Sequence, residues 1–375
     1  GEAVITGSRQ DDGLSRRIPL LTTTSGDEIG VKAVPVDARP SPAPPPSPAP
    51  LEGYRVVNLA VNVPGPVAAA RLQALGATVY KIEPPGGDPL AAAAPAWYRS
   101  LTAGQVVRRL DLKSPVGQAA LADLLAQADL LLTAQRPSAL ARLGLGPGDL
   151  ARRFPRLVHV AIVGHPAPRQ EEPGHDLTYL AATGLLDPPA LPRTLMADLA
   201  GAERAVTAAL ALLLARERGR FVRRVEVSLA EAAASLAAPL EHGLTAPGGP
   251  LGGGLPFYRC YPAREGWVAV AALEPHFAQR LLAELARPGQ AGLAAPVPPE
   301  ALGAMEAALA SAFRRRSAAE WEAWARERDL PIAAVRQRPA LPQGPAAATA
   351  TPHGDGPGGG DARPPAPAPS PRPAP

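Results

Sequence analysis

The sequence predicts an α/β protein, with a doubly wound large domain on a parallel sheet and a smaller α+β domain after it. Three observations carry this. Short β-rich runs alternate with helix-forming stretches between residues 55 and 163, the pattern of parallel strands joined by crossover helices. A long alanine- and leucine-rich segment, about 198–218, then reads as one buried helix. After it, a glycine-rich loop separates a further set of strands and helices.

In order, RVVNL (55–59) is a short strand and Pro64-Gly65-Pro66 a turn, with Pro66 suited to a helix's first position. VAAARLQAL (67–75) has helix-forming composition, and Gly76 is a natural stop. TVYKI (78–82) is the next strand, so the unit implies a right-handed crossover between parallel strands. A helix over 114–127, a strand over 129–133, a short helix over 137–143 and the strand LVHVAIV (157–163) continue the alternation. After the first strand comes PGP rather than G-x-G-x-x-G, which argues against a dinucleotide cofactor. Beyond the long helix, a strand near 225–229 and a helix over 230–243 lead to the loop GGPLGGGLP (248–256). A strand over 267–272 and helices near 275–286, 300–315 and 317–328 complete the smaller domain.

The flanks differ in composition. The 375 residues hold 48 prolines and 36 glycines, and seven of the prolines fall within PSPAPPPSPAP (40–50). We expect residues 1–50 to be a disordered proline-rich extension and 337–375 a disordered Pro/Gly/Ala-rich tail. The large domain then spans 51–220 and the small domain, with the glycine loop, 221–336. Cys260 is alone, so no disulfide framework exists, and a reducing cytoplasm is the expected compartment. The formal net charge is +4, from 38 basic and 34 acidic residues, with no basic run interleaved with aromatics, so no nucleic-acid partner is expected. No stretch approaches the ~20 apolar residues of a membrane span, and no secretory leader is visible, so no membrane partner is expected either.

Six histidines are present without H-x-x-x-H spacing, and no cysteine pair exists, so no metal is expected. G-x-S-x-G is absent too. The constellation that stands out is His175-Asp176 in PGHDLTYLAATG, Asp198 in LMADLAG and Glu274 in VAVAALEPHF. All lie at element ends, where a rigid scaffold holds side chains within reach of a ligand. Each also has a plain alternative, since Asp176 and Asp198 suit helix caps and Glu274 suits a helix start.

Residues 51–336 resemble the class III CoA-transferase family (CaiB/BaiF type), nearest its α-methylacyl-CoA racemase branch. The resemblance rests on LEGYRVVNLA with PGP at 64–66, LGATVYKIEPPGGDP (75–89), LDLKS (110–114) and ADLLLTAQRPSALARLGLG (128–146). It continues through PGHDLTYLAATG (173–184), LMADLAGA (195–202), GGGLPFY (252–258) and WVAVAALEPHF (267–277). It implies a CoA-binding large domain and an interlocked homodimer with the active site between one subunit's large domain and the other's small domain. It implies an acyl-CoA substrate, with CoA as part of that substrate and no permanently bound cofactor. The proton-transfer set of the racemases falls on His175, Asp198 and Glu274, and the covalent acyl acceptor of the transferases on Asp176. Arg109, Leu112, Lys113, Arg136 and Arg142 fall along the expected CoA path, and Gly252, Gly253 and Gly254 form the expected mobile loop.

Proton transfer at C2 needs a base on one face of the carbon and an acid on the other. Transferase chemistry instead needs a carboxylate that attacks the thioester carbonyl. The chain departs from the family pattern at Pro84, at LTAGQVVRR (101–109), at RFVRR (220–224) and after residue 336. Three readings follow: C2 epimerisation of 2-methylacyl-CoA, which His175 favours; CoA transfer through Asp176; and a non-catalytic CoA-binding relative.

Overall fold

A computed structural model of the chain describes residues 49–220, 222–285 and 299–336. The expected extension and tail lie outside these residues, apart from Ala49 and Pro50. The first layer is a six-stranded sheet in which every pairing is parallel: β1 (Arg55–Asn58), β2 (Thr78–Glu83), β3 (Val106–Arg109), β4 (Leu130–Thr133), β5 (Val158–Val163) and β6 (Arg224–Ser228). Their spatial order is β3-β2-β1-β4-β5-β6, the doubly wound order whose direction reverses between β1 and β4.

Adjacent residues of β1 serve opposite faces. Val56 packs with Leu130, Leu132, Val158 and Val160 beneath α1 (Pro64–Ala74) and α8 (Met196–Glu217). Val57 packs with Ile82 and Leu131 against α4 (Pro115–Ala126), α5 (Pro137–Arg142) and α6 (Pro147–Arg153). A strand apolar on both sides is what a sheet covered on both faces requires. Two short helices, α2 (Pro89–Ala93) and α3 (Pro95–Thr102), lie between β2 and β3, and α7 (Asp176–Ala181) precedes α8.

β6 pairs with β5 over five residues, from His159 opposite Arg224 to Val163 opposite Ser228. The helix after it, α9 (Leu229–Glu241), buries Leu229 and Ala233 in the same core as α8. The expected boundary at 220/221 is therefore corrected: it cuts across the parallel sheet, and β6 and α9 belong to the large layer. The strand-like pattern of this segment was legible, but pattern does not name a strand's partner.

The smaller unit is an antiparallel sheet, β7 (Tyr258–Pro262), β8 (Trp267–Ala271) and β9 (Ile332–Ala334), in the order β7-β8-β9. One face, with Tyr261, Val268, Val270 and Ile332, packs on α10 (Pro275–Leu285), α11 (Leu302–Phe313) and α12 (Ala318–Glu327). Phe313 is fully buried, stacked on Tyr261 at 5.2 Å and edge-on to Trp321 at 5.1 Å. The Trp321 indole N–H donates to the Phe313 carbonyl at 2.7 Å. Among the described residues no helix is long and apolar enough to cross a membrane.

The candidate active site at the start of two helices

The chain leaves the sheet at the C-terminal end of β5, where ligands of open parallel sheets bind, and crosses a loop, 164–174, to α7. His175 is the residue before that helix, in extended backbone. Its N–H donates to Thr178 Oγ1 at 3.0 Å, and the Thr178 hydroxyl donates to the His175 carbonyl at 2.8 Å. This pair of bonds fixes the backbone of His175 while its side chain stays exposed. Asp176, the first residue of α7, is buried. Its Oδ1 accepts from the Asp198 N–H at 3.0 Å. Asp198 stands in the first turn of α8, whose own preceding residue, Leu195, offers no cap. Asp176 thus supplies, from another helix, the acceptor that the start of α8 lacks.

That tie draws two carboxylates and an imidazole together. Burial pushes the Asp198 carboxyl up to about 6, the negative charge of Asp176 pushes the same way, and His175 opposes both. Sequence spacing had placed these three residues at element ends; the fold gathers them.

Glu274 is not part of this gathering. It is exposed, between β8 and α10, and its carbonyl accepts from the Phe277 and Ala278 amides at 3.0 Å. No ion pair or side-chain hydrogen bond joins it to His175 among the described residues.

The expected CoA contacts divide. Arg109 ends β3 with an exposed side chain 3.8 Å from Glu83. Leu112 is half-buried beside the α4 core, and Lys113 is exposed, its amide donating to Asp111 Oδ1. Arg136 precedes α5 and Arg142 is its last residue, both exposed. Between them sits a residue that sequence reasoning passed over. The Glu171 carboxylate accepts from the Ser138 N–H and hydroxyl, each at 2.8 Å. Those bonds hold its carboxyl below the ordinary range, helped by Arg136 and Arg142. No spacing rule links residue 171 to 138, so only the fold could reveal the contact.

The glycine loop is tightly wound. Gly254 N–H donates to the Gly249 carbonyl at 2.9 Å, and Gly253 has φ of 94°. A side chain at Gly252 would collide with the Ala246 carbonyl. Arg259 holds the Gly253 carbonyl at 2.8 Å and pairs with Glu306 at 2.7 Å. No cluster of metal-ligating side chains occurs among the described residues.

Fold and site define an α/β protein with a desolvated acid pair and an exposed imidazole at the ligand edge of its sheet. Compared with known proteins, residues 51–351 match the family model described as CoA-transferase family III; the chain belongs to that family, whose members among the relatives are acyl-CoA racemases and CoA-transferases, and it is an enzyme of that kind. It is 32% identical over 296 residues to the human alpha-methylacyl-CoA racemase, covering 72% of this chain and 74% of that one. It is 33% identical over 211 residues to a protein of Mycobacterium tuberculosis named probable fatty acyl-CoA transferase, covering 50% of this chain and 52% of that one. The crystal structure of a hypothetical protein from Mycobacterium tuberculosis superimposes with a TM-score of 0.67 at 26% identity, covering 77% of this chain and 86% of that one.

Proposed function

We propose that the chain epimerises 2-methylacyl-CoA thioesters at C2, with His175 and Asp198 as the two proton carriers. The observation that carries this reading is the bond from the Asp198 N–H to Asp176 Oδ1 at 3.0 Å, which sets Asp198 at the start of α7 where His175 stands; burial there raises the Asp198 carboxyl to about 6. An epimerase must run both ways, so each carrier acts as acid in one direction and as base in the other. One carrier removes hydrogen from C2 while the other returns it to the opposite face. In both directions the pair holds one proton in total, so rate falls when a second is added and when the last is lost. The human racemase likeness supports the same reading.

The other parts follow. The amides at the start of α7 suit the enolate oxygen. Arg109, Leu112, Lys113, Arg136 and Arg142 take the adenine and phosphate portion of CoA, and Gly252–Gly254 form a loop near the acyl end. CoA enters as part of the substrate, and no permanently bound cofactor is invoked. Glu274, exposed and unpaired with His175 within its own chain, reaches the imidazole from a second copy in a homodimer. A cytoplasmic setting is part of this reading.

The test starts from one epimer of a 2-methylacyl-CoA. Loss of optical purity at C2, without release of CoA, is the expected result; a substrate that stays optically pure under saturating enzyme sinks the proposal. The second reading, CoA transfer through Asp176, is supported by the likeness to a protein named as an acyl-CoA transferase. It asks Asp176 to attack a thioester, yet that side chain is buried with one oxygen already bonded to Asp198. CoA moving to a free acid, lost in Asp176→Asn, would establish it. Binding of acyl-CoA with neither reaction would leave the non-catalytic relative.

A further inference from the structure

Four charged side chains and a phenol meet at the outer end of the large sheet, and the proton transfer above uses none of them. Arg109 and Glu83 are the last residues of the neighbouring parallel strands β3 and β2 and stand opposite each other in register. They therefore lie at the carboxyl edge of the sheet, the edge at which open parallel sheets bind ligands. Their exposures are opposite: the Glu83 side chain is 1% exposed and that of Arg109 64%. The Arg109 Nε lies 3.8 Å from Glu83 Oε2. On another flank the guanidinium lies against the turn after β2. A Cβ added at Gly87, whose φ is 82°, would come within 3.1–3.7 Å of Nη2, the central carbon and Nε.

Glu83 is itself pinned. The Tyr98 hydroxyl, from α3, donates to Oε1 at 2.6 Å, and Lys81 Nζ stands 3.8 Å from the same oxygen. Burial and the Glu83 bond push the Tyr98 phenol up to about 12, so it stays a protonated donor well above neutral pH. Lys81 is engaged elsewhere: fully buried, it pairs with Asp88 at 2.7 Å and donates to the Ala60 carbonyl at 3.2 Å. Asp88 in turn accepts the Asn62 and Leu90 amides, each at 3.0 Å. Tyr98 thus holds one oxygen of Glu83, and the other faces Arg109. That ion pair runs through Nε, and among the described residues the terminal nitrogens of Arg109 make no hydrogen bond. Two free terminal nitrogens are the fork by which an arginine takes two oxygens of a phosphate. We propose that Glu83 and Tyr98 are positioning residues for Arg109: they hold its guanidinium at the sheet edge with the terminal nitrogens open to a phosphate of CoA. This rests on the reading of Arg109 as a CoA contact.

Two cations, Lys81 and Arg109, stand against two carboxylates, Glu83 and Asp88, so the cluster holds no surplus of positive charge. What it supplies is direction. An exposed arginine ordinarily gives up rotamer freedom when it takes a ligand, and one already held gives up less. The rival account is that Tyr98 and Glu83 only seal the outer end of the sheet, with Arg109 a bystander.

Binding of CoA itself to the full chain, read by titration calorimetry, separates the two. Arg109→Gln is expected to weaken CoA about tenfold and Tyr98→Phe about fivefold. In the Arg109→Gln background Tyr98→Phe is expected to add less than twofold, because its effect runs through the arginine. In turnover the loss in Tyr98→Phe falls on KM, with kcat within twofold. A folded Tyr98→Phe that binds CoA as tightly as wild type overturns the proposal, and so does a loss that persists undiminished without Arg109. If Arg109→Gln binds CoA like wild type, or wild type binds none, the CoA contact and this proposal fall together. The calorimetry needs no turnover, so a wild type that binds CoA without epimerising strikes only the proposed function. Should Tyr98→Phe lose its cooperative melt, Gly87→Ala keeps every partner of Glu83 and sets a methyl against the guanidinium. CoA affinity is then expected to fall about fivefold where Arg109 is present, and an affinity within twofold of wild type overturns the proposal.

Discussion

The junction of α7 and α8 and the junction of β8 and α10 each carry residues that the sequence marked for chemistry, and they differ in state. At the first, two acids are drawn out of water and one is pushed up to about 6. At the second, Glu274 is an exposed carboxylate beside a helix start. A group kept out of water at a cost is a stronger sign of function than one resting in it. The contrast teaches that one chain gathers the two proposed proton carriers by itself, whereas Glu274 within that chain is paired with neither of them among the described residues.

The comparison breaks first at its strongest side. His175→Ala and Asp198→Asn are each expected to lower the rate of epimerisation about 10³-fold, within the range for a positioned acid or base. Equal and small effects would remove the distinction between the two junctions. The small unit has its own weak point in its core rather than at Glu274. Phe313→Ala leaves a hole between Tyr261 and Trp321 and is expected to cost about 3–5 kcal/mol in chemical denaturation.

Asp198 itself supplies a sharper test, because its raised carboxyl is a liability to the fold. Between about pH 4 and pH 6 the folded chain binds a proton at Asp198 that the unfolded chain has released, so stability falls as pH rises through that window. Above it the full cost is present. Asp198→Asn removes the charge and is expected to stabilise by about 2 kcal/mol at pH 7, with the gain vanishing below pH 4. Denaturant melts across pH read this directly, and a variant less stable than wild type at pH 7 refutes the desolvation account.

The smallest effect belongs to the exposed side. Glu274→Gln is expected to slow turnover about tenfold, the lesser part of an acid–base contribution. Mixing Glu274→Gln with His175→Ala under subunit exchange should recover rate, since the mixed pair holds one intact site. No recovery would confine Glu274 to its helix.

Much of the large layer could be read from residues alone. The strands with apolar runs, β1, β2, β4 and β5, lie within a residue or so of the segments expected. β3 was missed because Val106–Arg109 is exposed at every position, an edge strand with no buried face to print a pattern. β7 and β9 were missed for a related reason: one ends in Pro262 and the other has three residues. The candidate site was legible only as residue types at element ends. What was not legible is the Asp176–Asp198 bond, which spans 22 residues and gives Asp198 its state. Glu171 gave no signal either, because its meaning lies in the Ser138 contact that the fold sets beside it.

The account is tested most directly by isotope wash-in from D₂O with each C2 epimer taken separately. Wild type should place deuterium at C2 from both epimers. With His175→Ala, exchange should survive for one epimer only, and with Asp198→Asn for the other only. Exchange that each variant loses for both epimers alike, or keeps for both, would contradict two carriers on opposite faces of the carbon.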